Sequence, residues 1–171
     1  MGKQLALDIR EFPQFPVDNS ANPYNYRDDL KHILIPENWI RSRVALLSQH
    51  IYKNYRQTAQ DPDKPVAICL LEGARTFFDD LVAQMSVDVQ KLYWEVGSYA
   101  GTESTGEVRL GDIDLRAVEG RRVLVVDDIA DTRRTLKRVR DALTVHNPSR
   151  IEIACLLDKP ERRLEPDLEL D

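Results

Sequence analysis

The sequence predicts an α/β domain whose mainly parallel central sheet is flanked by helices. Three observations carry that expectation. Val66–Leu71 and Val123–Val126 are short, unbroken apolar runs, and Ile151–Leu157 is a third, largely apolar one, the pattern of strands covered on both faces. Stretches with apolar residues at helical spacing separate them, giving strand, helix, strand, helix, strand. The 171 residues, 42% of them hydrophobic and 31% charged, suit one domain with a single buried core.

Taken in order, residues 1–30 carry Pro13, Pro16 and Pro23 among Phe12, Phe15, Tyr24 and Tyr26. Prolines block regular pairing, so this reads as an extended N-terminal arm docked through its aromatics, and residues 31–171 as the single domain. After Pro36, Ile40, Val44, Leu47 and Ile51 form one helical stripe that fades into a polar linker, Gln57–Lys64. The Val66–Leu71 strand leads through Glu72-Gly73-Ala74-Arg75 into a second helix marked by Phe77, Phe78, Leu81, Val82 and Met85. Val87–Val96 reads as a strand, Gly97–Gly106 as a mobile Gly/Ser/Thr-rich loop, and Glu107–Leu110 as the returning strand of a hairpin. Leu136, Val139 and Leu143 mark the helix after Val123–Val126, and the turn His146–Ser149 precedes Ile151–Leu157. Residues 161–171 read as a charged, exposed tail. Trp39 and Trp94 lie in helix and strand patterns and read as packing residues.

Composition narrows the function classes. The net charge of −5 disfavours whole-surface attraction to nucleic acid, and the basic cluster Arg133, Arg134, Lys137, Arg138 and Arg140 reads first as a solvated helix face. No apolar run approaches membrane-spanning length and no signal-peptide core opens the chain, so a cytoplasmic setting without membrane contact is expected. Cys69 and Cys155 sit in strand-like runs and read as buried reduced thiols; the three histidines lack ligand spacing.

The stretch Val123-Leu-Val-Val-Asp-Asp-Ile-Ala-Asp-Thr-Arg-Arg-Thr-Leu136 carries the chemistry. A buried strand delivers Asp127 and Asp128 to its carboxyl end, where ligands bind in parallel sheets. Adjacent carboxylates accept hydrogen bonds from a vicinal diol. Asp131 follows, then a turn whose N–H groups from Asp131 to Thr135 open a helix and suit a phosphate, with hydroxyls from Thr132 and Thr135. Arg133 and Arg134 add positive charge. The geometry required is specific: amides facing the anion, acids facing the sugar. The same residues also suit a solvated strand end with Asp131 or Thr132 capping the helix. An acidic pocket of the response-regulator kind would use Asp127 and Asp128, but it leaves the Thr-Arg-Arg-Thr turn without a role.

This stretch resembles the phosphoribosyl-pyrophosphate (PRPP) signature of type I phosphoribosyltransferases, and the chain from about Tyr26 to Asp167 resembles the hypoxanthine-guanine branch of that family. Supporting motifs occur in order: Arg27–Pro36, Leu71-Glu72-Gly73 with Phe77-Phe78, Ser98-Tyr99 with Ser104–Glu107, and Leu157–Arg163. The resemblance implies the three-layer type I phosphoribosyltransferase fold. It implies transfer of 5-phosphoribosyl from PRPP to a 6-oxopurine (hypoxanthine, guanine or xanthine) with release of pyrophosphate and with Mg²⁺ as cofactor. It gives Asp127 and Asp128 to the ribose hydroxyls and, indirectly through Mg-PRPP, to the metal. Asp131 becomes the general base near purine N7, residues 131–135 the 5′-phosphate turn, and Lys159 the contact to the exocyclic oxygen. Arg163, Glu72 and Gly73 face pyrophosphate, and Ser98 and Tyr99 lie on a lid that keeps water out. A homodimer or homotetramer is implied, with PRPP and a purine base or nucleotide as ligands and no nucleic acid.

The chain departs from the family pattern at three places. Arg133 stands where the family usually has Gly in the phosphate turn; a left-handed dihedral there costs an Arg about 1–2 kcal/mol, and its side chain either meets the phosphate or turns outward. Glu72 stands where Lys is usual, which is tolerable if that loop binds through its amides and repulsive if the carboxylate faces pyrophosphate. The family's C-terminal hood, which stacks on the base, lies beyond Asp171, and the ending reads either as a truncation or as a natural short form that has lost or borrows part of its purine pocket. These departures leave a second expectation, a catalytically impaired homologue that binds PRPP or a nucleotide and regulates a partner. A nucleic-acid-binding regulator, resting on the basic helix alone, is a third. The first reading fails if the Arg133 side chain fills the turn or if the turn's amides are already bonded internally.

Overall fold

Period-two alternation inside the buried strands decides how the layers stack. The computed structural model describes residues 34–57, 64–98 and 108–170. They form α1 (Glu37–Gln57), β1 (Val66–Leu71), α2 (Arg75–Gln84), β2 (Gln90–Ser98), β3 (Val108–Leu110), β4 (Arg122–Ala130), α3 (Arg134–Thr144) and β5 (Arg150–Asp158). Short 3-10 turns stand at Leu115–Val118 and Pro160–Arg162. One sheet runs in the order β3-β2-β1-β4-β5, parallel except for β3, which returns antiparallel on β2. Ala67, Cys69, Leu124 and Val126 face α1 and α2; Val66, Ile68, Leu70, Val123 and Val125 face α3 and the Leu115–Val118 turn. The result is the expected three layers, and the unbroken apolar runs follow because both sheet faces are covered.

Far from the strands' carboxyl ends, a buried charge pair ties α1 to the sheet. Arg122 Nη2 lies 2.9 Å from Glu152 Oε2, Nη1 donates to the Asn54 carbonyl at 3.1 Å, and the guanidinium sits 4.2 Å from the Tyr55 ring centroid. Trp94 is buried in the second core layer and donates from Nε1 to the Gly111 carbonyl at 2.8 Å, as its packing role requires.

Several boundaries differ from expectation. Val87 and Val89 pack on the core ahead of β2, which starts at Gln90 and continues through Gly97 and Ser98, pairing with Arg109 and Val108. β4 runs past its apolar stretch to Ala130, because pairing with β5 continues as far as Asp158. The 161–171 segment is not simply an exposed tail: Leu168 is 1% exposed and packs in the α3-side core. Cys69 is buried and Cys155 half-buried; both are free thiols, and burial pushes both pKa values up, Cys69 to about 11. The N-terminal arm, most of the Gln57–Lys64 linker and the lid from Tyr99 to Gly106 lie outside the described residues.

Candidate functional site

Parallel pairing brings the carboxyl ends of β1, β4 and β5 to one edge. β1 and β4 are neighbours there, yet the chain leaves β1 into α2 on one face and β4 into α3 on the other. That divergence opens a crevice at a topological switch point. The loop after β1 and the carboxylates of β4 meet in it. A Cβ built on Gly73 would lie 2.4 Å from Asp128 Oδ2, so a side chain here would displace the Asp128 carboxylate or the loop. The Leu71–Glu72 peptide bond is cis, the Glu72 carbonyl accepts from Arg75 N–H at 3.1 Å, and Glu72 and Gly73 are exposed.

Asp127 and Asp128 are both half-buried at the end of β4. Asp127 Oδ1 accepts the Asp128 N–H at 3.0 Å, and Asp128 Oδ1 accepts the Ile129 N–H at 2.9 Å. Burial, followed by the negative charge of Asp128, pushes Asp127 up to about 7. The pair is thus short of positive charge and of hydrogen-bond donors, the condition under which a diol or a bound cation is favoured.

The turn after β4 has two unlike sides. Three carbonyls are spent internally: Ala130 O accepts from Lys159 N at 2.9 Å, Thr132 O from Leu164 N at 3.1 Å, and Arg133 O from Lys137 N at 2.9 Å. Its amides are open. The N–H groups of Asp131, Thr132, Arg133 and Thr135 donate to no other described residue, and that of Arg134 makes only a 3.4 Å contact with Thr132 Oγ1. A row of N–H groups at a helix start is an anion site.

Arg133 is the α3 N-cap and sits at φ 65°, the left-handed region. The dihedral explains why glycine is usual at this position, and it costs an arginine about 1–2 kcal/mol. The expectation that its side chain meets the phosphate or turns outward is corrected: it turns inward. With 3% of the side chain exposed, Arg133 Nη2 lies 2.9 Å from Asp158 Oδ2 and Nη1 donates to the Leu168 carbonyl. The cup is therefore empty of its own arginine, and Arg133 reaches an anion there only through its main-chain N–H.

The loop after β5 supplies the remaining charges. Lys159 Nζ lies 3.6 Å from Asp131 Oδ2 and Arg162 Nε 2.8 Å from Asp131 Oδ1. The structure thus brings Asp131 and Lys159 together. Arg163 is held back by an ion pair with Asp158, the carboxylate that also binds Arg133. Arg134 is exposed on α3. Ser98 ends β2, placing the start of the expected lid two strands from β4. Two participants were missed from the sequence: Arg162, which lies in a charged run without periodic signal, and Asp158, whose partner Arg133 is 25 residues away.

Residues 41–169 match the model of the phosphoribosyl transferase domain family. The chain belongs to that family. A hypoxanthine-guanine phosphoribosyltransferase from Streptococcus thermophilus is 37% identical over 145 residues, spanning 84% of this chain and 77% of that protein. A hypoxanthine phosphoribosyltransferase structure from Staphylococcus aureus superposes with a TM-score of 0.73 at 30% identity, covering 88% of this chain and 80% of its own. The Trypanosoma cruzi hypoxanthine phosphoribosyltransferase, solved with the product IMP, gives a TM-score of 0.67 at 31% identity, with 77% and 72% covered. The three-layer fold and the pentosyltransferase class read from the motifs agree with these relatives.

Proposed function

We propose that this phosphoribosyltransferase transfers 5-phosphoribosyl from PRPP to a 6-oxopurine, forming the bond from purine N9 to C1′ and releasing pyrophosphate. One observation carries the reading: a turn with three carbonyls bonded and its amides open, beside a pair of carboxylates short of partners. The amides of residues 131–135, with Thr132 and Thr135, hold the 5′-phosphate. Asp127 and Asp128 hold the ribose hydroxyls. Asp131 accepts the purine proton, and Lys159 and Arg162 beside it stabilise its carboxylate while Lys159 reaches the exocyclic oxygen. The loop at Glu72-Gly73 meets pyrophosphate through its amides, leaving the exposed Glu72 carboxylate in solvent.

Mg²⁺ belongs to the same reading. Asp127 and Asp128 are oxygen donors with no cationic side chain paired to them among the described residues, the donor type Mg²⁺ favours, and they would hold the ion indirectly, through bound Mg-PRPP. The chemistry the ion would supply there is charge neutralisation of the leaving pyrophosphate. No helix among the described residues is long and apolar enough to cross a membrane, and a cytoplasmic homodimer or homotetramer completes the proposal.

The inward course of Arg133 and the open amides give no support to an impaired, binding-only form. The test is direct. The protein is incubated with PRPP, Mg²⁺ and each of hypoxanthine, guanine and xanthine, and pyrophosphate release is followed. Turnover that falls about 10²–10⁴-fold in Asp131→Asn is expected; no turnover with any of the three purines would overturn the proposal.

A further inference from the structure

We propose that Asp158 is a positioning residue for PRPP, acting through Arg133 to hold the phosphate turn in the shape that glycine gives elsewhere in the family. The inference rests on the phosphate-turn reading above and deepens it. Asp158 closes β5, with 8% of its side chain exposed, and Arg133 heads α3 in the left-handed region. Nothing in an arginine's own preferences holds it at φ 65°. The surroundings must do so, and three contacts do. Asp158 Oδ2 takes Arg133 Nη2 at 2.9 Å, the Leu168 carbonyl takes Nη1, and the Thr132 carbonyl is bonded to Leu164 N at 3.1 Å. The buried guanidinium thus sews the turn to the end of β5 and to residues 164–168. The destination of the side chain matters: it is spent on Asp158 and the Leu168 carbonyl, while the amides of residues 131–135 keep no main-chain acceptor and stay available to an anion.

Arg163 shares Asp158, so the carboxylate answers two buried or half-buried guanidinium groups. A route through Arg163 predicts a different outcome and is separable by experiment. Asp158→Asn keeps the shape and removes the charge. If the clamp acts through Arg133, this variant raises KM for PRPP about 10–100-fold, because small misplacement of binding groups is costly, while KM for the purine moves little. With Arg133→Gly in the same chain, the turn no longer needs holding, and Asp158→Asn changes KM for PRPP less than about twofold. Equal effects in both backgrounds mean that Asp158 works through Arg163, or only through bulk stability, and overturn the proposal. So does an Asp158→Asn protein whose KM for PRPP is unchanged.

Two further readouts close the remaining outcomes. If Asp158→Asn does not fold alone, Arg133→Gly must restore a folded double variant; a double variant as unstable as the single overturns the clamp. Amide exchange at residues 131–136 in the substrate-free protein reads the clamp without catalysis. Faster exchange in Asp158→Asn, abolished by Arg133→Gly, supports it even in a protein that never turns over PRPP. That combination would refute the catalytic reading alone.

Discussion

Asparagine in place of Asp127 removes a buried negative charge without changing the outline of the side chain, and the expected consequence is a pH-dependent gain in stability. Burial and then Asp128 raise the Asp127 pKa from 3.8 to about 7. A group whose folded pKa is raised holds its proton more firmly in the folded chain. Its contribution to stability is fully present below the unfolded value and is lost as pH rises through the folded one. The window therefore runs from pH 3.8 to about 7. At 1.36 kcal/mol per unit, a displacement of about three units sets a ceiling near 4 kcal/mol. Sharing the proton with Asp128 lowers the figure assigned to one residue to about 2 kcal/mol. Asparagine does not titrate, so this slope disappears. Urea unfolding in Mg²⁺-free buffer at about pH 5 and about pH 8 should show Asp127→Asn gaining about 2 kcal/mol on the parent chain between the two conditions. A gain that is the same at both pH values, or that is larger at the acidic one, refutes the argument, because the carboxylate would then be ionised at no cost.

The other predictions address the packing around the crevice and its supports. Gly73→Ala places a methyl 2.4 Å from Asp128 Oδ2, so the loop or the carboxylate must shift, and steady-state kinetics should show KM for PRPP rising about tenfold or more. Leu168→Ala removes a side chain that is 1% exposed and should cost about 2–5 kcal/mol in denaturant unfolding. Glu152→Ala leaves Arg122 buried without its carboxylate, costing about 3–5 kcal/mol, yet KM for PRPP should hold because the pair lies at the opposite end of the sheet.

How far the sequence could be read depended on the range of the interaction. Strands β1, β4 and β5 and the three helices announced themselves through apolar runs, unbroken in β1 and the first half of β4, and through helical stripes, because each buries two faces or one. The phosphate turn was legible as well, since hydroxyls, acids and a helix start stand within a few residues of each other. The hidden features are non-local. Asp127 and Asp128 break the apolar pattern, so the continuation of β4 to Ala130 depends on its partner strand. Leu168 stands with Leu164 and Leu170 among Glu165, Asp167 and Glu169, and only the fold shows that it is the buried one. The inward turn of Arg133 required knowing that Asp158 ends the neighbouring strand beside Ala130. The dihedral was foreseeable from the family's glycine; the destination of the side chain was not.

One feature of β4 bears on how two identical residues come to differ. Val125 faces α3 and Val126 faces α2, and the same parity sends Asp127 and Asp128 to opposite sides of the sheet's rim. Asp128 looks onto Gly73, whereas Asp127 stands beside Cys155 in the adjacent strand. The two acids are therefore not interchangeable copies. Each takes its neighbours and its reach from a different wall of the crevice, and inserting or deleting a single residue in β4 would swap those surroundings wholesale.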